Sequence, residues 1–368
     1  MKIVHVLDNL ERGGAQTVLR SLVAGLARRG HEQHLAVLNE KHEPGVVADM
    51  RAAGATVEII GRPQLYAGIG FWRLTRLLRR LKPDWVHTLL PWGDLIGRAC
   101  ARQAGLRRIV STVTARYADK PRWQLALDRA TIGWAQQVVF QSAEIIPFSL
   151  AREGVRPEQV RCIPNGVEWD ETDRSAAAAA LRRRQGRGAR QVVGMVARLH
   201  PQKAQSDLLQ AYRNVREEFP DTVLWLVGDG PERRRLESLA RRLGITDHVV
   251  FAGDRADALD WVAALDLFAH PTWFEGLPLA VLEAMAAARP VVASAVDGLR
   301  GLIEPGVHGW LVPPGDVPAL GAAMREALRH PERAVQLGRA GAARVRAEFG
   351  ADRMVRDYAA IFEAAGGT

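Results

Sequence analysis

The chain has 368 residues, of which 48% are hydrophobic and 25% charged, as expected for a folded protein long enough for two ordinary domains. Its two cysteines, Cys100 and Cys162, lack CxxC or Cys/His ligand spacing and predict no disulfide framework, which favours a reducing compartment. The net charge is +9: residues 1–170 carry 24 Lys/Arg against 16 Asp/Glu (+8), and residues 171–368 carry 26 against 25 (+1). A basic first half can attract nucleic acid, an anionic membrane or a phosphorylated substrate, but Arg-rich solvated faces explain it equally well.

Short apolar runs alternate with amphipathic stretches along the first half of the chain. The alternation predicts right-handed βαβ units and a parallel sheet. The first run is too short for a signal-peptide core, and no uncharged stretch reaches the length of a membrane-spanning helix, so we expect a cytoplasmic protein. The predicted strands are 3–7, 33–38, 56–60, 85–88, 108–112 and 137–140, and helical periodicity marks 15–28 and 71–81.

Two features of this half are candidate ligand sites. Gly13 and Gly14 follow the first strand and open the first helix, where glycine lets backbone N–H groups approach an anion, although a tight turn explains the pair as well. His87 ends the fourth predicted strand, where it either faces a ligand or packs as a core-edge histidine.

The predicted helix at 71–81 is basic and amphipathic. Its apolar residues cluster close to one face, and Arg73, Arg76, Arg79, Arg80 and Lys82 lie elsewhere. Such a helix can lie on an anionic membrane, although an ordinary packed surface helix shows the same pattern. The apolar residues are Trp72, Leu74, Leu77, Leu78 and Leu81.

A second series of strands begins after an alanine- and arginine-rich segment at 175–190. We therefore predict two Rossmann-like, doubly wound domains, 1–170 and 171–350, with a helix at 351–368 that crosses back to the first domain. Ligands of such sheets bind at the carboxyl ends of strands, so we expect the active site in a cleft between the domains. The second series comprises 191–196, 223–227, 249–251, 265–269 and 291–293.

Arg198 and Lys203 flank the turn after the first strand of this series. Two cations at a strand-to-helix turn can neutralise a diphosphate as it leaves with extra charge. The alternative is a solvated turn, but it would place Lys203 in a first helical turn, where a cation is unfavourable.

The segment Phe274-Glu275-Gly276-Leu277-Pro278-Leu279 gives the most specific signal. Pro278 suits the first turn of a helix, so the N–H groups from Gly276 to Leu279 are predicted to form an anion-binding nest. Glu275 and Glu283, eight residues apart around that helix start, can accept hydrogen bonds from sugar hydroxyls at both ends of a nucleotide diphosphate. An ordinary Glu-containing amphipathic helix is the alternative.

Taken together, these motifs resemble the retaining glycosyltransferases of family 4 along nearly the whole chain. The resemblance rests on Gly13 to Gln16, Ile163 to Val167, Gly194 to Lys203, Leu226 to Pro231 and the Glu275/Glu283 pair. It implies the GT-B fold, in which two Rossmann-like domains face each other across a cleft.

The resemblance also implies roles for individual residues. Arg198 and Lys203 would bind the donor diphosphate, Glu275 would contact the transferred sugar, and Glu283 would hold the ribose hydroxyls. The backbone at Ala252 and Gly253 would cradle the base, and Gly14 would approach phosphate. Gly13, His87 and Thr114 would lie on the acceptor side. The implied substrates are a nucleotide sugar, most commonly a UDP-sugar with GDP-mannose open, and a glycan or lipid-diphosphate acceptor, with an anionic membrane surface as a further partner.

The chain departs from the family at Thr114, where many relatives carry a histidine in a Thr-x-His pattern. Front-face retaining transfer, as the resemblance implies, uses the leaving phosphate as the base, so this loss need not abolish activity. No Asp-x-Asp triplet occurs, and we expect neither a cofactor nor a metal requirement. The alternatives are a nucleotide-sugar 2-epimerase of the same fold and a basic nucleic-acid-binding protein. The second lacks any recognisable nucleic-acid motif, so we expect no nucleic-acid partner.

Overall fold

The computed structural model describes residues 1–40, 42–61, 68–116, 120–168 and 172–364, and it divides into two α/β units. Unit 1 consists of Met1–Glu168 together with the segment that starts at Ala351. Unit 2 consists of the residues between them. Within the described part of the chain, no helix combines the length and the apolarity needed to cross a bilayer.

Unit 1 is built on a seven-stranded parallel sheet. The strands are β1 (Lys2–Leu7), β2 (Glu32–Val37), β3 (Ala55–Ile59), β4 (Trp85–Leu89), β5 (Ile109–Val113), β6 (Gln137–Phe140) and β7 (Val160–Cys162). Their order in the sheet is β3-β2-β1-β4-β5-β6-β7. Successive strands are therefore added on one side of β1 up to β3, and on its other side from β4 onward. In open sheets of this kind, ligands bind at the carboxyl ends of the strands beside such a change of side.

The helices of unit 1 cover the sheet. They are α1 (Gly14–Arg28), α2 (Pro44–Ala52), α3 (Ile69–Leu81), α4 (Pro91–Gln103), α5 (Arg122–Ile132), α6 (Ile146–Arg152) and α15 (Ala351–Ala364). The last of these joins unit 1 through its buried face, because the indole N–H of Trp85 donates to the carbonyl of Phe362 at 2.9 Å. Trp85 and Phe362 also pack edge to face inside the unit.

Unit 2 has a six-stranded parallel sheet in the order β10-β9-β8-β11-β12-β13. Its strands are β8 (Gln191–Val196), β9 (Thr222–Val227), β10 (Val249–Gly253), β11 (Leu267–His270), β12 (Val291–Ser294) and β13 (Trp310–Val312). Its helices are α7 (Ser175–Gln185), α8 (Gln205–Glu218), α9 (Arg233–Arg242), α10 (Ala258–Ala263), α11 (Leu279–Ala286), α12 (Asp297–Leu302), α13 (Val317–Arg329) and α14 (Pro331–Glu348). Buried aliphatic side chains of the strands and of α8 and α13 form one apolar core.

The predicted α/β class and the two parallel sheets are confirmed. Each predicted strand lies on an observed one, but the strand predicted at 265–269 begins at Leu267, because the N–H of Leu265 still bonds to Val262 in the turn after α10. The sequence did not reveal β7 and β13, which are three-residue strands at sheet edges and are too short for a periodic pattern.

The leucines of helix α3 do not form the exposed apolar face that a membrane-binding helix would need. Leu74, Leu77 and Leu78 are buried in the core of unit 1, so Leu77 cannot belong to an exposed apolar stripe. Only Ile69 and Trp72 are large apolar side chains that α3 exposes, at 53% and 59%. The ordinary packed-helix explanation therefore accounts for the leucines.

Candidate active site

Arg198 and Lys203 lie on the turn that connects β8 to α8. Residues Pro201–Lys203 form one turn of 3-10 helix, and Ala204 ends it in the left-handed conformation with φ of 46°. Gln205, the first residue of α8, donates its side-chain amide to the carbonyl of Arg198 at 2.9 Å. Lys203 thus lies just before α8 and not inside its first turn. The Arg198 side chain is exposed.

Glu275 is the centre of a buried polar cluster. The Lys203 ammonium forms an ion pair with Oε1 of Glu275, and His270 Nε2 lies 3.2 Å from the same oxygen. The Thr272 hydroxyl lies 3.4 Å from the same oxygen and 3.0 Å from the carbonyl oxygen of Gln202. Burial by itself would raise the pKa of Glu275, but Lys203 and His270 outweigh that effect and lower the pKa to about 2. The carboxylate is therefore ionised at neutral pH although only 8% of the residue is exposed.

Hydrogen bonds fix the loop between β11 and α11 to its neighbours. The Gln202 side chain donates to the carbonyl of Phe274 at 2.7 Å, and the N–H of Trp273 donates to the carbonyl of Gln202 at 2.9 Å. The N–H of Thr272 donates to the Ser294 hydroxyl at the end of β12, at 3.0 Å. Because these bonds join three strand ends, the position of Glu275 is set by the sheet.

A close backbone contact holds the glycine that follows Glu275. A Cβ built on Gly298, in the first turn of α12, would lie 1.2 Å from the carbonyl oxygen of Gly276. Only glycine at 298 allows this approach. Pro278 is the N-cap of α11 rather than part of its first turn, and the helix begins at Leu279. Among the described residues, no acceptor bonds the N–H groups of Gly276 and Leu279, so these two donors are available to a ligand at the start of α11.

Glu283 lies in the second turn of α11 and is half-buried. Among the described residues, none forms a hydrogen bond or an ion pair with its carboxylate. Burial raises its pKa to about 7. Glu275 and Glu283, which the sequence presented as a matched pair, are thus in opposite electrostatic environments.

Ala252 and Gly253 lie at the carboxyl end of β10, where the pairing with β9 shifts register. Both are half-buried. The carbonyl of Gly253 accepts the N–H of Gly228 at 2.8 Å, and Arg233 donates to the carbonyl of Phe251 at 3.3 Å. The shift ends the regular pairing of β9 with β10 at the carboxyl edge of the sheet.

The remaining predicted site residues belong to unit 1. Gly13 is the extended N-cap of α1, and Gly14 is the first residue of that helix and is exposed. Thr114 follows the carboxyl end of β5 and is half-buried.

His87 does not reach a surface at all. It is fully buried, with Nδ1 2.9 Å from Nδ1 of His5 and Nε2 2.8 Å from the Thr112 hydroxyl. Its ring packs against Tyr358 of α15. Burial and the neighbouring His5 hold the pKa of His87 well below its usual value, so the ring stays neutral. The structure therefore contradicts an acceptor-side His87 and favours the core histidine.

Sequence reasoning missed four side chains of the Glu275 cluster and its support: Gln202, His270, Thr272 and Ser294. The only signal was that polar residues follow the apolar runs of β11 and β12 directly. No spacing rule distinguishes such residues from ordinary loop residues, because their contacts join segments up to 72 residues apart.

Two family models match the chain. One, described as glycosyl transferases group 1, covers residues 190–330, and the other, glycosyltransferase family 4, covers residues 12–171. A GDP-mannose-dependent alpha-(1-6)-phosphatidylinositol monomannoside mannosyltransferase of Mycolicibacterium smegmatis is 33% identical, over 90% of this chain and 89% of that protein. The lipopolysaccharide core biosynthesis glycosyltransferase LpsD of Rhizobium meliloti is 27% identical, over 99% of this chain and 98% of LpsD.

Solved structures agree in fold. HepE of Anabaena, in complex with UDP and glucose, superposes with a TM-score of 0.87 over 99% of this chain and all of HepE, at 22% identity. The lipopolysaccharide glycosyltransferase WaaG superposes with a TM-score of 0.78 at 20% identity, with full coverage of both chains. The predicted GT-B fold is thereby confirmed, and the chain belongs to the family 4 (group 1) glycosyltransferases, enzymes of class EC 2.4.

Proposed function

We propose that this enzyme is a retaining transferase that moves a hexose from a nucleotide sugar to a hydroxyl of a glycan or lipid-linked acceptor in cell-envelope polysaccharide assembly. The observation that carries the proposal is the cluster of Lys203, Glu275 and His270 beside the N-terminus of α11. A carboxylate kept ionised in a buried site is suited to hydrogen-bond a sugar at a defined position. The adjacent N–H groups, with Lys203 and Arg198, are suited to a diphosphate.

In this proposal, unit 2 binds the donor and unit 1 the acceptor. The bond between the anomeric carbon and the diphosphate oxygen breaks, and the acceptor oxygen bonds to the same face of that carbon. The acceptor proton passes to the leaving phosphate oxygen. Arg198 and Lys203 stabilise the charge that develops on the diphosphate, while Glu275 orients the transferred sugar. No side chain of unit 1 has to act as the base, which fits Thr114 in place of an imidazole.

Glu283 is suited to hold the donor ribose. A half-buried carboxylate that has no partner among the described residues gains most from a ligand that supplies hydroxyl donors. We propose that the two ribose hydroxyls occupy it, with the base against the backbone at Ala252 and Gly253.

For the donor we propose a UDP-sugar, with GDP-mannose as the second candidate. The first choice has support from HepE, whose structure holds UDP and glucose, and the second from the M. smegmatis relative, whose name specifies GDP-mannose. The test is thermal shift with UDP, GDP and ADP, followed by nucleoside-diphosphate release from the corresponding sugars. Stabilisation by UDP and release from a UDP-sugar are expected. Binding of GDP alone would make GDP-mannose the better-supported donor. Binding of none of the three nucleotides would contradict a nucleotide-sugar site.

We also propose that unit 1 binds anionic bilayers peripherally, through α3. Ile69 and Trp72 are exposed there, and the Arg76 guanidinium lies over the Trp72 ring at 5.2 Å. Arg79 and Arg80 are exposed on the same helix. Each cation near an anionic surface contributes on the order of 1 kcal/mol, and the indole adds burial at the interface.

Liposome sedimentation at low and high salt tests the membrane proposal. We expect binding to anionic vesicles that weakens when Arg76, Arg79 and Arg80 are replaced by Glu. Equal sedimentation with neutral vesicles, or no change in the charge-reversed variant, would make a soluble acceptor the better account.

A further inference from the structure

Unit 1 exposes two tryptophans side by side at the edge of its sheet where ligands are expected. Trp92 is the second residue of α4, which follows β4, and Trp123 is the second residue of α5, which follows β5. Because β4 and β5 are neighbours and parallel, the starts of both helices lie at the carboxyl edge of the sheet. The ring centroids are 6.0 Å apart with an interplanar angle of 36°, and the residues are 44% and 54% exposed.

The backbone beneath Trp92 is held in place. The N–H groups of Trp92 and Gly93 both donate to the carboxylate of Asp8, just after β1. A Cβ on Gly93 would lie 2.8 Å from the carbonyl oxygen of Val6, so helix α4 starts in close contact with β1. Leu90, immediately before the helix, has φ of 67°, which non-glycine residues rarely adopt and which persists only when the surroundings hold it.

The residues behind Trp123 are held as firmly. Helix α5 turns polar side chains inward: Asp128 is buried and paired with Arg98 and Lys120, both at 2.9 Å. The hydroxyl of buried Thr131 also accepts from Arg98, at 3.2 Å. Rotation of α5 would break a buried ion pair, which is strongly unfavourable. The outward direction of Trp123 is therefore imposed by the core of the unit.

We infer that Trp92 and Trp123 form an acceptor subsite on which the apolar C–H face of a hexopyranose ring stacks, an inference that rests on the proposed transfer reaction. A pyranose presents one flat apolar face and a rim of hydroxyls. The tryptophan pair presents two adjacent apolar rings, with the half-buried carboxylate of Asp8 close to the backbone of Trp92. Stacking between flat faces depends on a fixed ring position, which the anchored starts of α4 and α5 provide.

A lipid surface is the other occupant that exposed tryptophans suggest. Insertion into a bilayer needs apolar side chains that project outward, but it needs neither contact between two rings nor a rigid backbone beneath them. Rigidity at Trp92 and its position at the sheet edge therefore favour a sugar.

The experiment uses the full-length enzyme and a panel of methyl hexopyranosides, which are sugars without any lipid. Saturation-transfer NMR and tryptophan fluorescence are recorded for the wild type, for Trp92→Ala with Trp123→Ala, and for Trp134→Ala. Trp134 is the matched control, since it is 38% exposed in unit 1 but lies beyond the carboxyl end of α5, at the opposite end of that helix. Trp92→Phe with Trp123→Phe keeps two flat faces.

We expect at least one methyl glycoside to bind the wild type and the Trp134→Ala control, with affinity about tenfold lower in the double alanine variant and largely restored in the double phenylalanine variant. Binding of nucleoside diphosphates should be equal in all four proteins, which separates this inference from the proposed donor site. Absence of sugar binding by the wild type, equal binding by the double alanine variant, or loss in that variant of anionic-vesicle binding alone would overturn the subsite.

Discussion

The carboxyl edges of the two sheets carry opposite kinds of side chain. In unit 2 the edge holds ionisable groups that are bonded to one another: Glu275 and His270 are buried, and Lys203 is half-buried. In unit 1 the edge holds exposed aromatic rings, Trp92 and Trp123, above a buried ionic network. The same topology thus builds one edge suited to phosphate and developing charge and another suited to the faces of sugars.

The largest effect is expected from the charged edge. Glu275→Ala and Lys203→Ala should each lower sugar transfer by about two orders of magnitude, the scale of losing one charged contact in the transition state. Initial rates of nucleoside-diphosphate release measure it, and circular dichroism checks the fold.

Arg329→Ala is the control for this pair of variants, because it removes an exposed ion pair with Glu218 elsewhere in unit 2 and should retain full activity. Full turnover by folded Lys203→Ala protein would contradict the proposal that Lys203 binds the donor diphosphate.

Substitution of His270 should lower the transfer rate less, because His270 acts through Glu275. The ring is fully buried, stacks on Phe268 at 6.0 Å and lies 3.2 Å from the carboxylate. We expect His270→Leu to lower kcat by about tenfold, the order of losing one hydrogen bond to a charged group, with little change in donor KM. His270→Gln can still offer an amide N–H to Glu275 and should recover most of the rate. Equal loss in both variants, with equally lowered thermal stability, would reduce His270 to a packing role.

Because the pKa of Glu283 is raised, we expect the affinity for the donor to depend on pH. Its pKa is raised to about 7, and only the ionised form accepts hydrogen bonds from both ribose hydroxyls through charged oxygens. Deprotonation therefore favours binding, and the donor KM should fall severalfold as pH rises from about 6 to about 8. In Glu283→Gln the KM should be higher and nearly independent of pH over that range. A pH dependence that survives in Glu283→Gln would assign the titration to another group.

Sequence reasoning located the charged edge better than the aromatic one. Glu275, Lys203 and Arg198 follow apolar strands in a pattern that charge and helix geometry explain, and the strands themselves were found from apolar runs. It could not reveal His270 or Thr272, because their side chains meet Glu275 only through the fold of the loop after β11, which no spacing rule predicts. The ion pair of Glu275 with Lys203 in turn requires β8 and β11 to be adjacent.

The errors in unit 1 have a related cause. His87 ends an apolar run and was expected near a ligand, but α15, which is distant in sequence, buries it through Tyr358 and Phe362. The leucines of α3 formed a correct apolar face, and only packing decides whether such a face meets a core or a membrane. Trp92 and Trp123 were not singled out, since an isolated tryptophan has no periodic pattern, and their proximity requires β4 and β5 to pair.

The smallest effect is expected from metal removal. A leaving diphosphate needs positive charge, and unit 2 offers the Lys203 ammonium, the exposed Arg198 guanidinium and the N–H groups at the start of α11. Since the sequence also lacks an Asp-x-Asp triplet, we expect the transfer rate to be unchanged in excess chelator. The control is Lys203→Ala measured with and without magnesium: if a metal can replace the missing cation, its residual rate should rise with magnesium while the wild-type rate does not. A wild-type rate that falls with chelator and returns with magnesium or manganese would show that these groups do not suffice, and the charged edge would then have to include a metal ion.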